Sequence, residues 1–143
     1  MPIWKLAVIA AIAALALVGC GRDDPQAALE AAARSLQDSI EKKDTGALMG
    51  RIHADFNANQ QLDRDWVKRT ATLMFLRNRK VSVIALGSRS WIDPSYADKG
   101  YTEAQVAMTG AEGLVPERLG HYEVKLEWWM EDGEWQLARL NWE

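Results

Sequence analysis

Two histidines and one cysteine are the only imidazole and thiol groups in the 143-residue sequence. His53 has Asp55 two positions on, and a carboxylate beside an imidazole orients it and raises its basicity, as in a general base. On a helix, however, positions i and i+2 point apart. Capping or loop hydrogen bonding is therefore the competing role for this pair. His121 follows Gly120 at a strand entrance and reads as a surface histidine. With these two histidines far apart and no thiol inside the folded region, the ligand set of a zinc site is missing. No metal or cofactor is expected. There is no G-x-S-x-G elbow and no phosphate-cradling glycine loop. The remaining chemistry is aromatic. Trp66, Trp91, Trp128 and Trp142, with Tyr122, either fill a core or line a pocket for an apolar or sugar-like ligand.

The single cysteine, Cys20, sits at the edge of a leader. Lys5 is followed by an uncharged apolar run from Leu6 to Val18 and then Gly19-Cys20-Gly21. A short cationic start, an apolar core and a small residue at the cut make the layout of a signal peptide. The run is shorter than the roughly 20 residues that span a bilayer. Leu17-Val18-Gly19-Cys20 resembles the lipobox of bacterial lipoproteins. That resemblance implies removal of residues 1–19, a diacylglycerol on the Cys20 thiol, and acylation of the palmitate kind. Each buried methylene adds about 0.8 kcal/mol, so two or more chains hold a protein stably on a membrane. Gly21 stands where an aspartate marks retention in the inner membrane. The same resemblance therefore implies the periplasmic face of the outer membrane.

One cysteine excludes a disulfide within the chain. A formal net charge of −3 argues against nucleic acid, whose binding rests on clustered Lys and Arg. It equally argues against electrostatic adhesion to anionic lipid. Residues 20–24 form a short tether, and at about 3.6 Å per extended residue it holds the domain within roughly 15–20 Å of the bilayer.

Residues 25–143 read as one α+β domain. Asp24-Pro25 is an N-cap followed by proline at the first helical position. Leu29, Ala33, Leu36 and Ile40 then mark an amphipathic helix of about 18 residues. Asp44 caps a second helix through Leu48 and Ile52. Asp63 caps a third, whose apolar face reads Trp66, Leu73 and Leu76. After Lys80 the period becomes two, with strands expected at Val81–Trp91, Tyr101–Thr109, Tyr122–Met130 and Trp135–Trp142. Three N-terminal helices packed on a curved four-stranded antiparallel meander follow from that order. Tyr96 and Tyr101 flank Asp98-Lys99-Gly100 and suggest a lip over the sheet edge.

The last hairpin admits two registers. A two-residue Asp132-Gly133 turn mixes apolar and polar faces. A three-residue loop, Glu131-Asp132-Gly133, sets Leu126 opposite Ala138 and Val124 opposite Leu140, giving one apolar face. The second is the expectation. It places Trp129 beside Trp135 on the outer face near Leu137, a patch either covered by the chain or used as a homodimer or partner interface.

Three helices followed by a meander that closes on Glu131-Asp132-Gly133-Glu134-Trp135 resemble the nuclear transport factor 2-like fold, also called SnoaL-like, ketosteroid-isomerase-like or cystatin-like. The resemblance implies a sheet curved round a long helix, an apolar pocket in the resulting cone, and frequent dimers through the sheet. The family includes isomerases, cyclases, dehydratases and members without known catalysis. The isomerases' tyrosine has no counterpart in the first helix, so their catalytic residues are not carried over. The leading expectation is a non-catalytic binding or accessory lipoprotein. The alternatives are a small isomerase or dehydratase using the cone, and an envelope assembly factor using the tryptophan patch.

Overall fold

Asp24 starts the first helix, α1 (Pro25–Glu41), by accepting hydrogen bonds from the N–H groups of Gln26 and Ala27. The computed structural model describes residues 24–109 and 122–143. The leader, Cys20, the tether up to residue 23 and His121 lie outside the described residues. α1 closes where Lys43 turns left-handed (φ 55°) and the Asp44 N–H reaches back to the Ser39 carbonyl at 2.9 Å. The Asp44 carboxylate then caps α2 (Thr45–Gly50) through the Ala47 N–H. All three aspartates expected as caps serve as caps, because capping is decided within four residues of chain.

The second helix stops at Gly50, short of Ile52. Ile52 instead opens a strand, β1 (Ile52–Ala58), which turns through left-handed Asn59 and Gln60 into β2 (Leu62–Asp63). Asp63 caps α3 (Arg64–Arg77), and four strands follow: β3 (Ser82–Ile92), β4 (Lys99–Thr109), β5 (Tyr122–Glu131) and β6 (Glu134–Trp142). The sheet has six strands in the order β2-β1-β6-β5-β4-β3. β3 to β6 form the expected antiparallel meander, while β1 adds to β6 in parallel. The helices are therefore interrupted by a hairpin, and the sheet is mixed. β1 is held from a distance: the Leu137 N–H donates to the Arg51 carbonyl at 2.8 Å, and no local period reveals such a partner.

α3 buries a different face from the one its leucines suggest. Ala71, Met74 and Phe75 are buried, whereas Leu73 is 42% and Leu76 80% exposed. Two apolar stripes compete on this helix, and the winning one continues into buried Asn78, whose side chain donates to the Met74 carbonyl. Lys43 reinforces that choice by donating to the carbonyls of Phe75 and Asn78, where a cation suits a helix C-terminus.

The β5–β6 hairpin corrects the expected register. Glu131 pairs with Glu134, so the turn is the two-residue Asp132-Gly133, both with positive φ (50° and 80°). Trp128 pairs with Leu137, then Glu127 with Arg139, leaving Ala138 as a bulge. The bulge moves the strand by one position, so Leu126 meets Leu140 and Val124 meets Trp142. The demand for one apolar face is met, but by a bulge rather than by the loop. β3 repeats the device at Gly87 (φ 61°), where the pairing shifts between Leu86 and Arg89. Bulges also bend and twist a sheet, and this one curves over α1.

β3 is an edge strand, with free backbone groups that invite another chain. α1 covers them. Gln26 donates to the Ser90 carbonyl, Gln37 donates to the Val83 carbonyl, and Glu41 accepts from the Val83 N–H. Beneath that seam Leu29, Trp128 and Trp135 are the largest fully buried side chains.

Candidate functional site

Between α1, α3 and the inner face of β3–β6 lies a cavity of about 930 Å³. Its size is at the upper end of ordinary small-molecule sites, about 300–1,000 Å³. The strand alternation makes its wall. Tyr122, Val124, Leu126 and Trp128 of β5 face it, together with Leu137, Leu140 and Trp142 of β6 beyond and before the bulge. Helix α3 contributes Trp66, which stacks on Trp142 at 5.9 Å and 16°. The structure thus places Trp66, Tyr122, Trp128 and Trp142 on the cavity lining. Trp91 lies elsewhere, packed on Tyr101 at 5.6 Å with the Arg89 guanidinium 4.8 Å from its ring. Tyr96 and Tyr101 do not line the cavity.

Among the described residues, polar groups on the wall are few. Ser90 and Thr102 are cross-strand partners whose hydroxyls lie 2.8 Å apart, and the Trp128 indole N–H donates to the Thr102 hydroxyl at 3.0 Å. Sequence reasoning passes over this pair, because Ser and Thr in a strand read as a solvent face until the bulge at Gly87 is known. The charged lining groups, Glu30, Arg34 and Arg89, are exposed and belong to the mouth. The Arg89 guanidinium itself lies over Trp91 and is paired with Glu103 at 2.9 Å.

His53 sits on the opposite face of the sheet, buried on β1 at 6% exposure. Its Nδ1 accepts the backbone N–H of Asp55 at 2.9 Å, which leaves Nε2 to donate to the Glu131 carboxylate, also at 2.9 Å. The Asp55 carboxylate is not the partner. The pair expected from the sequence therefore meets through backbone, and the real carboxylate comes from 78 positions away. Trp129 completes this cluster, edge-on to His53 at 4.9 Å and under the Arg139 guanidinium at 4.8 Å. Both ring nitrogens of His53 are engaged, and neither faces the cavity. Among the described residues no cluster of three or more His, Cys, Asp or Glu side chains is placed to hold a metal ion.

The expected Trp129–Trp135–Leu137 patch does not form. Trp135 and Leu137 are each 2% exposed and belong to the core, because the two-residue turn pairs Trp135 with Met130 on the inner face. Trp135 instead anchors α1, its indole N–H donating to the Pro25 carbonyl at 3.3 Å. Trp129 alone stays on the outer face, its N–H donated to Glu127.

Tyr101 on that outer face donates to the Asp93 carboxylate at 2.6 Å. This bond, with the Ser95 N–H, holds Asp93 below its ordinary range, and it pushes the Tyr101 phenol from 10.0 up to about 12. The raised phenol contributes stability that is present below pH 10 and is lost as pH climbs from 10 towards 12. The lowered carboxylate contributes stability that is present above the ordinary aspartate range and lost as acid protonates it. Tyr101→Phe is expected to flatten both limbs of a plot of Tm against pH. A variant whose alkaline limb matches the parent's would contradict this assignment.

No protein-family model matches the sequence, and no curated protein matches it. Solved structures do match. An NTF2-like protein from Cytophaga hutchinsonii superposes with a TM-score of 0.68 at 12% identity, over 84% of this chain and 98% of that one. Bd1075 from Bdellovibrio bacteriovorus has a TM-score of 0.68 at 9% identity over 80% of this chain, which spans 40% of that protein's length. The hexachlorocyclohexane dehydrochlorinase LinA-type3 of Novosphingobium barchaimii gives 0.61 at 16% identity, over 82% of this chain and 84% of that one. Identities this low show the fold alone. The fold is the nuclear transport factor 2-like α+β cone, and activity on it has to be argued from the site.

Proposed function

We propose that this chain is a lipid-anchored lipoprotein of the bacterial cell envelope, held through Cys20 at the periplasmic face of the outer membrane, and that its cone binds a small apolar molecule without transforming it. One observation carries the binding half: the cavity of about 930 Å³ is walled by aliphatic and aromatic side chains, with its charged groups at the mouth. An apolar cavity of this kind gains little from water and much from an apolar guest. The lipid half rests on the lipobox-like residues before Cys20. Among the described residues no helix is long and apolar enough to cross a membrane.

The enzyme reading is favoured by one observation, the shared fold with a dehydrochlorinase. It requires an acid or base reaching into the cone, and among the described residues the phenol of Tyr122 is an ionisable group on the inner wall that it could use. The assembly-factor reading loses the tryptophan patch that carried it, since Trp135 and Leu137 are buried.

Two measurements test the proposal. The full chain should bind N-phenyl-1-naphthylamine saturably, with a rise in probe fluorescence. Ala104→Trp, which fills the wall from β4, should abolish that rise while the far-ultraviolet circular dichroism is kept. Equal binding by the folded variant would place the probe elsewhere and refute the pocket reading. For the anchor, cells fed a palmitate analogue should label the parent and not Cys20→Ser, and the variant should leave the membrane fraction. Labelling of Cys20→Ser would refute the anchor.

A further inference from the structure

Trp128, Thr102 and Ser90 hold more protons than they use. An indole N–H only donates, and each hydroxyl brings one proton and lone pairs that accept. The trio therefore has three protons but only two contacts, Trp128 to Thr102 at 3.0 Å and Thr102 with Ser90 at 2.8 Å. If Ser90 donates to Thr102, the Thr102 proton is unspent. If Thr102 donates to Ser90, the Ser90 proton is unspent. Either way one hydroxyl proton finds no acceptor among the described residues, and both residues belong to the cavity lining. The donor is also held in place, since Gln26 fixes the Ser90 carbonyl at 2.6 Å and Thr102, 3% exposed, is paired on both sides, with Ser90 of β3 and Leu126 of β5.

From this count we infer that the cavity selects apolar molecules carrying one hydrogen-bond acceptor oxygen, a ketone, ester, ether or alcohol, which docks on the Ser90–Thr102 hydroxyl pair. The inference rests on the cavity being a binding site, and it adds the chemistry of the ligand. Its geometry also sets a length. Thr102 pairs with Leu126, and Trp142 pairs with Val124, two residues along β5 and two strands across from β4. Spacings of about 3.3 Å per residue and 4.8 Å per strand separate the donor from the Trp66–Trp142 stack by roughly 12 Å. A rigid bicyclic or tricyclic body, or a short acyl chain, reaches from one to the other. A bound oxygen satisfies the spare proton, whereas a pure hydrocarbon leaves it buried without a partner, which is the costly state of a polar group.

The matched pair 9-fluorenone and fluorene tests this, because the two differ by a carbonyl on one tricyclic frame. Both are titrated against the full chain and against the double variant Ser90→Ala/Thr102→Val. The double change is needed, since either hydroxyl left alone keeps a free proton, and the valine methyl covers the Trp128 N–H. The ratio of the two Kd values is expected to shift by about three- to tenfold against fluorenone in the variant, the range one neutral hydrogen bond supplies. A shared loss of affinity cancels in that ratio. Binding of both with an unchanged ratio overturns the inference and leaves the pocket reading standing. No binding of either by the parent overturns both. The carbonyl stretch of fluorenone bound to the parent gives a second readout that needs no variant. A frequency lowered as in an alcohol supports the docking, and one as in a hydrocarbon overturns it.

Discussion

Trp128→Ala is expected to cost about 3–5 kcal/mol, the range for deleting a buried large aromatic, and to lower Tm on the order of 10–20 °C. Trp128 is fully buried, and its N–H makes the bond to Thr102. Two effects add in the alanine variant: the lost burial of the ring, and a void opened into a cavity that is already there. Trp128→Phe separates them. It keeps most of the packing but removes the donor, so its expected cost is smaller, about 1–2 kcal/mol. Chemical denaturation of the three proteins measures both differences. Equal losses for the two variants would mean that the indole N–H, and not the ring's volume, governs the site. A negligible loss in both would show that Trp128 is not the keystone of the wall that its burial indicates.

What could be read from the sequence divides by distance along the chain. Asp24, Asp44 and Asp63 are legible as caps, since a cap is settled by the next three residues. The inward positions of β5 are legible because Tyr122, Val124, Leu126 and Trp128 alternate, and this alternation puts two of the aromatic candidates, Tyr122 and Trp128, on one face. β1 is not legible. Its partner β6 lies some eighty residues on, so Ile52 joins the apolar period of α2 until the pairing is seen. The same separation hides Glu131 from His53 and leaves Asp55 as the apparent partner. The hairpin is an intermediate case. The sequence shows that a regular two-residue turn puts Arg139 and Asn141 on the apolar side, but it does not show whether a longer loop or a bulge resolves the conflict. The choice of loop created the Trp129–Trp135 patch; the two-residue turn removes it by returning Trp135 to the core, and the bulge at Ala138 then restores the apolar register beyond it. In α3 the sequence offers two apolar stripes, and the leucines mark the one that stays exposed. Burial follows the Ala71–Met74–Phe75 stripe because Asn78 and Lys43 hold the end of the helix there.

Gly100→Ala is expected to destabilise the fold by about 1–3 kcal/mol, although alanine suits a strand no worse than glycine. A Cβ at Gly100 meets Leu29 Cδ2 at 2.7 Å and Cδ1 at 3.0 Å, closer than carbon atoms pack. Leucine tips often swing aside, but Leu29 is fully buried and Gly100 is paired on both sides, with Ile92 and Trp128, so neither side gives easily. This contact is where the long helix lies directly on the curved sheet, which is why a side chain is absent at that one point. Leu29→Ala opens a void and is expected to cost about 2–5 kcal/mol on its own. In the double variant the new methyl occupies part of that void. The two losses should then fall short of additivity by about 0.5–3 kcal/mol, the range for residues in direct contact. Urea unfolding of the parent, both single variants and the double closes this cycle. Strict additivity would mean that α1 and β4 do not touch through Leu29 and Gly100. Because the cavity is bounded by the same helix and strand, the two single variants should also change its shape in opposite senses, with Gly100→Ala lifting α1 from the wall and Leu29→Ala letting it settle. N-phenyl-1-naphthylamine titration of the same four proteins reads that consequence directly.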